Sequence, residues 1–378
     1  MAAMVLGACS TSSALSVASP SPAASPSPPP SPLPCVQPAA LPRAAGVTSS
    51  FPVILMASGL SGPDDLLYVQ SDGSVLVGEH GDGHIARITA PGKLVRLPQV
   101  VPEAEGIAQL GDTIYVADQF NARIVQLTDT GMKTILQLQP VASGENLDGI
   151  AANGSLIVVP DSPHGTVLFV DPSGKVVGRD GGYSRPAGAW ASPRGAGGPW
   201  LIADENASAV FGLKNAGGHF LVAGGLPGVD DVVRTDDGQV IVTLPGLGRL
   251  YDVSTKRNLA TGLRNPQGLD LTGAQNLLVT ESDSGRVLMI VRTFALQVPA
   301  GPVQVQPGQP ICVGVVRAPG YTANLNFSRV VGGVPLVDPG ATNQGSIVPS
   351  PCNADSCSLT FELGSGDGAE IAHVTYRD

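Results

Sequence analysis

Acidic or amide side chains recur at intervals of about 40 residues. Each is followed by a glycine, or by an aspartate in its place, and then by an aliphatic residue. The positions are Asp64, Glu105, Asp148, Asp230 and Gln267, with Ala187 at the equivalent place between Asp148 and Asp230. Carboxylates brought together repel each other unless they are protonated or share a cation. Ca²⁺ is bound by six to eight oxygen ligands, so the acids predict a site for Ca²⁺ or another divalent cation. The alternative is a water-filled acidic funnel that binds no metal.

These positions lie in a repeat that extends from about residue 50 to residue 296. Each copy continues with an aliphatic run that usually ends in an acid, then a turn and two further apolar segments with strand patterning. Four strands at a period near 40 residues are typical of a propeller blade, and six copies predict a closed ring. The ring would place the six opening positions around one mouth of a central channel. The segment 51–56 precedes the first copy, and we expect it to supply the missing outer strand of the sixth.

A second set of acids ends the aliphatic runs. Its members are Glu79, Asp118, Asp161, Asp204 and Glu281, and Thr243 replaces the acid in the fifth copy. Acids at the start of a turn accept hydrogen bonds from turn N–H groups, and Arg123 and Arg286 follow two of them. We therefore interpret this set as structural.

Copies two and six carry a family resemblance. The sequences EGIAQLGDTIYVADQFNARIVQL from Glu105 and PQGLDLTGAQNLLVTESDSGRVLMI from Pro266 resemble NHL repeats. In the related gluconolactonase-like propellers, the metal is bound by acid or Asn residues at the same position of the repeat, directly before the glycine of the opening. This resemblance implies Asp64, Glu105, Asp148 and Asp230 as metal ligands. For a lactone hydrolase of this kind, we select Asp230 as the carboxylate that activates water. The chain departs from the family pattern because it has no Pro-Asn-Gly motif.

Other catalytic motifs are absent from the sequence. The five histidines do not recur in register, and the sequence contains no nucleophile elbow, HExxH motif or phosphate-binding loop. Trp190 lies just beyond the fourth opening, where we predict that it faces the channel and contacts a ligand, as Gln267 does. Trp200 stands where a core strand begins.

The N-terminal region has the composition of a tether. Leu6-Gly7-Ala8-Cys9 resembles a bacterial lipobox, with Cys9 as the lipid acceptor, and residues 10–49 are rich in Ser, Pro and Ala. Such a segment is an extended spacer rather than part of a packed core. We expect an exported protein attached by its lipid to the cell membrane, facing the periplasm or the cell surface. The net charge of −10 argues against a nucleic-acid partner.

The remaining cysteines number four, which suits an exported protein with two disulfides. Cys35, Cys312, Cys352 and Cys357 allow three pairings, and the sequence does not choose among them. We favour Cys352–Cys357 as a small loop and Cys35–Cys312 across the ends of the main domain. Residues 297–378 have alternating polarity between Gly, Pro and Asn, which predicts a small β-sandwich.

The predicted protein is therefore all-β. It comprises a signal remnant (1–9), a disordered linker (10–49), a six-bladed propeller (50–296) and a β-sandwich (297–378). We expect it to bind a small molecule or a protein at the channel mouth together with a divalent cation. The alternative is a calcium-dependent, gluconolactonase-like hydrolase with Asp230 as the base, and the sequence leaves open whether the chain is an enzyme.

Overall fold

A computed structural model describes residues 33–191, 200–214, 217–336, 344–365 and 368–378. Cys9, the signal remnant and most of the predicted linker lie outside the described residues. The described part is built from strands and three short 3₁₀ helices at Ser162–His164, Pro245–Leu247 and Ser282–Ser284. None of these helices has the length and apolar character needed to span a membrane.

Within the described ranges, six antiparallel sheets follow one another along the chain. The N-terminal strands are β1 (Thr48–Ser49) and β2 (Val53–Ser58). The first three sheets contain β3 (Pro63–Tyr68), β4 (Val75–Glu79), β5 (His84–Ala90) and β6 (Lys93–Val100); β7 (Ala104–Leu110), β8 (Thr113–Asp118), β9 (Arg123–Thr128) and β10 (Gly131–Gln137); and β11 (Ala151–Asn153), β12 (Leu156–Asp161), β13 (Thr166–Val170) and β14 (Val176–Gly181). The next three contain β15 (Pro186–Trp190), β16 (Leu201–Asp204), β17 (Ala209–Leu213) and β18 (His219–Gly224); β19 (Val232–Arg234), β20 (Val240–Leu244), β21 (Arg249–Asp252) and β22 (Arg257–Thr261); and β23 (Pro266–Leu271), β24 (Leu277–Glu281) and β25 (Arg286–Ile290).

The N-terminal strands complete the last two of these sheets. Strand β2 pairs antiparallel with β25, from Val53 opposite Ile290 to Ser58 opposite Arg286, and so becomes the fourth strand of the sixth sheet. The predicted pairing of the segment 51–56 with the last copy of the repeat is confirmed. Strand β1 pairs with β22 and adds a fifth strand to the fifth sheet. The first and last parts of the repeat region are thereby joined by backbone hydrogen bonds.

The first strand of each sheet contacts the first strand of the next in a closed order. The order is β3, β7, β11, β15, β19, β23 and again β3. Glycines permit the close approach of these strands. A Cβ atom on Gly106 would lie 2.6 Å from the backbone nitrogen of Ile150, and one on Gly188 would lie 2.5 Å from the carbonyl oxygen of Asp230. Side chains at these positions would force neighbouring sheets apart.

Two further four-stranded sheets form the C-terminal region. One contains β26 (Phe294–Gln297), β28 (Ile311–Arg317), β30 (Gly333–Leu336) and β31 (Gln344–Pro349); the other contains β27 (Val303–Gln304), β29 (Asn326–Val331), β32 (Cys357–Ser365) and β33 (Gly368–Arg377). Residues of both sheets share one hydrophobic core, in which Ile311, Ile347 and Phe361 are fully buried. The favoured disulfides, Cys35–Cys312 and Cys352–Cys357, are confirmed.

The segment from Cys35 to Ser49, which the sequence assigns to the linker, lies against the folded sheets. Val36 forms a bridge with Ile311, Arg43 forms one with Ile54, and the chain then enters β1. The disulfide of Cys35 fixes the beginning of this segment. The described end of the Ser/Pro/Ala-rich region is therefore held by backbone pairing and a covalent bond, neither of which its composition indicates.

Candidate functional site

The acids predicted from the repeat lie where the chain enters the first strand of a sheet. Asp64 is in β3 and Glu105 in β7, while Asp148 precedes β11 and Asp230 precedes β19. In β3 and β7 the pairing register shifts across the acid, between Pro63 and Leu66 and between Ala104 and Ile107. Such bulges redirect side chains locally. The irregular start of each strand, rather than its regular part, therefore positions the carboxylates.

Three of the four predicted metal ligands come together. Asp64, Glu105 and Asp148 each offer a carboxylate oxygen, and these oxygens all lie within 4.8 Å of one another. Glu105 and Asp148 are buried, each only 7% exposed. We call these three residues the acid cluster. Three hard oxygen donors at this separation match the ligand chemistry of Ca²⁺.

Asp230 lies outside this group of three but close enough to act on it. Its charge raises the pKa of Glu105. With the Gln267 amide turned to satisfy its neighbours, the amide nitrogen donates to Oδ2 of Asp230 over 2.9 Å, and the amide oxygen accepts from Nδ2 of Asn265 over 3.1 Å. Asp230 and Gln267 thus form a hydrogen-bonded pair beside the acid cluster.

The electrostatics of the acids favour a positive partner. Burial is the main reason why the pKa values of Asp64, Glu105 and Asp230 are well above the ordinary range, and the neighbouring carboxylates raise them further. Burial also raises the pKa of Asp148. The ionised forms are therefore costly without a cation nearby.

Two residues that the repeat did not predict as site residues complete the surroundings. Arg185 Nη2 lies 3.5 Å from Oδ2 of Asp148, and His80 Nε2 lies 3.6 Å from Oε1 of Glu105. The sequence does contain a signal that could have identified Arg185. Among the opening positions of the repeat, Ala187 has no ligand atom in its side chain, and Arg185 supplies a positive charge two residues before it.

The second set of acids has structural partners, as predicted. Oδ2 of Asp118 accepts from Nε of Arg123 over 2.6 Å, and Glu281 pairs with Arg286. Asp204 accepts hydrogen bonds from the backbone N–H groups of Ser184, Arg185 and Ala207. These acids fasten turns and loops.

Trp190 does not lie beside Gln267 and the acid cluster. It is the last residue of β15, whereas the cluster is at the beginnings of the first strands, and it lines a cavity of about 600 Å³. Asp65, Asp231 and Asp270 also line this cavity. The predicted ligand contacts of Gln267 and Trp190 therefore belong to opposite ends of the strands.

The comparisons with known proteins rest on structure. No protein-family model matches the chain, and no curated protein sequence matches it. A gluconolactonase from Xanthomonas campestris is 14% identical with a TM-score of 0.52, covering 71% of this chain and 98% of its own. A luciferin-regenerating enzyme is 11% identical with a TM-score of 0.52, covering 63% of this chain and 94% of its own.

A third solved structure is regucalcin from Agrobacterium tumefaciens, described as a calcium-binding protein. It is 13% identical with a TM-score of 0.50, covering 64% of this chain and 93% of its own. These neighbours are β-propeller proteins. The chain therefore has a β-propeller fold similar to that of gluconolactonase and regucalcin, and identities this low show the fold alone.

Proposed function

We propose that this chain is a six-bladed propeller that binds a divalent cation at the acid cluster and, beside it, an oxygen-rich small molecule or a protein. The observation that carries the proposal is the convergence of the carboxylates of Asp64, Glu105 and Asp148 within 4.8 Å. The six sheets are the blades, and their closed order supports a common mouth. The C-terminal sheets form a β-sandwich, and the repeat is of the NHL type.

The donor chemistry fits a hard cation. Every ligand atom of the acid cluster is a carboxylate oxygen. Zn²⁺ sites in proteins are built mainly from Cys and His, whereas Ca²⁺ prefers oxygen. Asp230 and the amide of Gln267 add polar groups beside the cluster, where a ligand with hydroxyl or carbonyl oxygens would find both donors and acceptors.

The second candidate function is hydrolysis of a lactone or ester. Two observations favour it: Asp230 is outside the group of three carboxylates, and the fold is similar to that of a gluconolactonase. A bound divalent cation supplies Lewis-acid polarisation of a carbonyl group. Asp230 would take a proton from water at its carboxylate, and the amide of Gln267 would hold that carboxylate in place. Because a general base must be ionised, the raised pKa of Asp230 predicts a rate that increases with pH.

Calorimetric titration of the metal-free protein with Ca²⁺ tests cation binding. The wild type should bind one ion, and Asp148→Asn should bind it at least tenfold more weakly because a ligand charge is lost. Asp112 lines the cavity of about 600 Å³ that Trp190 also lines, away from the acid cluster. Asp112→Asn is therefore the matched control and should bind Ca²⁺ as the wild type does. Equal affinity in Asp148→Asn, or no binding by the wild type, would refute the proposed cation site.

A panel of lactones and esters separates the two functions. Turnover that chelation abolishes and Asp230→Asn reduces would establish the hydrolase. Calcium-dependent thermal stabilisation without turnover on any member of the panel would favour the binding protein.

We also propose that the protein is exported and attached to the cell membrane through a lipid on Cys9. The basis is the lipobox-like sequence and the spacer composition of the residues that follow it. Two structural disulfides are in keeping with an extracytoplasmic protein. Mass spectrometry of the protein from the membrane fraction should detect acylated Cys9, and an unlipidated mature form would refute the anchor.

A further inference from the structure

The fourth sheet contributes a positive charge to the site where other sheets contribute carboxylates. Ala187 occupies the position equivalent to Asp64, Glu105 and Asp148, and its side chain has no ligand atom. Arg185, two residues earlier and directly before β15, directs its guanidinium to Asp148, 3.5 Å away. The chain therefore carries its own counter-ion for the acid cluster.

The loop of Arg185 is firmly held. The backbone N–H of Arg185 donates to Oδ1 of Asp204 over 2.8 Å, and the N–H of Ser184 donates to Oδ2 of the same carboxylate over 2.7 Å. The carbonyl of Pro186, the next residue, accepts from Oγ of Ser162 over 2.7 Å. The side chain of Arg185 is itself only 22% exposed. These contacts fix the point from which the guanidinium extends.

The guanidinium also has carboxylate partners away from the acid cluster. Its Nη2 lies 3.8 Å from Oε2 of Glu145, and its Nη1 pairs closely with Oε2 of Glu205. The side chain of Glu145 is 66% exposed and can follow a movement of the arginine. Arg185 can therefore withdraw from Asp148 without leaving its charge unpaired.

The influence of Arg185 reaches the whole site. Its positive charge lowers the pKa of Asp64, Glu105 and Asp230, in each case against the effect of burial. For Asp148 it is the largest influence after burial. An arginine stays protonated in proteins, so this charge is permanent.

We propose that Arg185 is a built-in competitor of the divalent cation: it occupies Asp148 in the metal-free protein and thereby sets the affinity of the acid cluster. This inference rests on the proposed cation site. A cation that takes Asp148 must displace the guanidinium towards Glu145 and Glu205. The protein therefore responds to higher cation concentrations than three carboxylates alone would, and the metal-free site is protected from charge repulsion.

Calcium titrations of the full chain test this role. We expect Arg185→Ala to lower the Kd for Ca²⁺ about tenfold, which corresponds to about 1.4 kcal/mol of binding free energy. Arg185→Lys keeps the charge but not the fork of donors, so it should give an intermediate Kd. Arg264→Ala, which removes an arginine from the loop that precedes the sixth sheet, is the matched control and should leave the Kd unchanged.

The melting temperature gives a second readout that does not depend on activity. Without Ca²⁺, Arg185→Ala should melt below the wild type at pH 8, because the carboxylates lose their counter-ion, and saturating Ca²⁺ should restore most of the difference. If Arg185→Ala does not fold without Ca²⁺, the Kd of Arg185→Lys decides.

The outcomes separate this inference from the proposed function. Unchanged or weaker Ca²⁺ binding in both Arg185 variants, with binding by the wild type intact, would overturn the competitor role alone. Absence of Ca²⁺ binding in the wild type and in every variant would instead overturn the cation site on which the inference rests.

Discussion

Replacing Glu370 by glutamine should change how the stability of the protein depends on pH. Glu370 lies in β33 and is only 8% exposed. Its Oε1 accepts from the hydroxyl of Thr272 over 2.5 Å and from Nδ2 of Asn276 over 2.9 Å, both in the turn between β23 and β24. This carboxyl group therefore joins the C-terminal region to the sixth sheet at a buried contact.

The size of the effect follows from the pKa of Glu370, which burial raises from 4.5 to about 7. The folded state holds the proton more tightly than the unfolded state. The resulting stabilisation is complete below pH 4.5 and is lost as the pH rises through 7. Since each tenfold difference in proton affinity corresponds to about 1.4 kcal/mol, the loss between pH 5 and pH 9 is roughly 2–3 kcal/mol.

Urea unfolding of the wild type and Glu370→Gln at pH 5, 7 and 9 measures this loss. The free energy of unfolding of the wild type, relative to that of the variant, should fall by the stated amount across the range. Taking the difference between two otherwise identical proteins removes the contribution of the other acids. Glu362→Gln, on the neighbouring strand β32 and partly exposed, is the control. A difference between wild type and Glu370→Gln that does not change with pH would refute the reasoning.

Three further predictions concern stability. Asp204→Ala leaves three backbone N–H groups without their acceptor. It should therefore lower the free energy of unfolding, measured in urea, by about 2–4 kcal/mol. A change below about 0.5 kcal/mol would contradict the structural role of Asp204. Gly188→Ala should lower the free energy of unfolding by about 1–3 kcal/mol, because its Cβ atom would lie 2.5 Å from the carbonyl oxygen of Asp230. Gly224→Ala is the control: its Cβ atom would have no atom within 4 Å, so this variant should melt close to the wild type. Equal melting temperatures of the two variants would contradict the packing argument. Replacing Cys35 and Cys312 by alanine should lower the free energy of unfolding by about 5 kcal/mol, because their disulfide closes a long loop. The same replacement of Cys352 and Cys357, whose loop is much shorter, should lower it by about 2 kcal/mol. The reverse order in denaturant unfolding would argue against chain entropy as the cause.

The repeat made the β-propeller class predictable from the sequence. Because each copy must bury its strands against its neighbours, its period and strand pattern are conspicuous in the sequence. The pairing of β2 with β25 was predictable for the same reason, since the sixth copy lacked an outer strand. By contrast, β1 is only two residues long and pairs with residues more than 200 positions away. Its Ser/Pro/Ala-rich surroundings have no hydrophobic pattern that indicates such a pairing.

The candidate site was predictable only in part, because a repeat gives the position of a residue around the ring but not the reach of its side chain. Asp64, Glu105 and Asp148 converge, while Asp230 faces the amide of Gln267. Arg185 and His80 lie in loops between the repeated strands, where length and composition differ from copy to copy. Their contacts with the acids follow from the course of these loops through space, which no repeat pattern specifies.

Neighbouring aspartates at the start of a sheet differ in what their carboxylates contact. Asp65 and Asp231 stand where Gly106 and Gly188 stand in other sheets. Their carboxylates accept hydrogen bonds from backbone N–H groups of the following sheet, Asp65 from Ile107 over 2.9 Å and Asp231 from Leu269 over 2.7 Å. At this position, glycine lets the backbone of the following sheet come close, whereas aspartate contacts the following sheet through a hydrogen bond from its carboxylate. The second aspartate of each pair thus bonds to the following sheet and lines the cavity, whereas Asp64 belongs to the acid cluster and Asp230 pairs with Gln267 beside it.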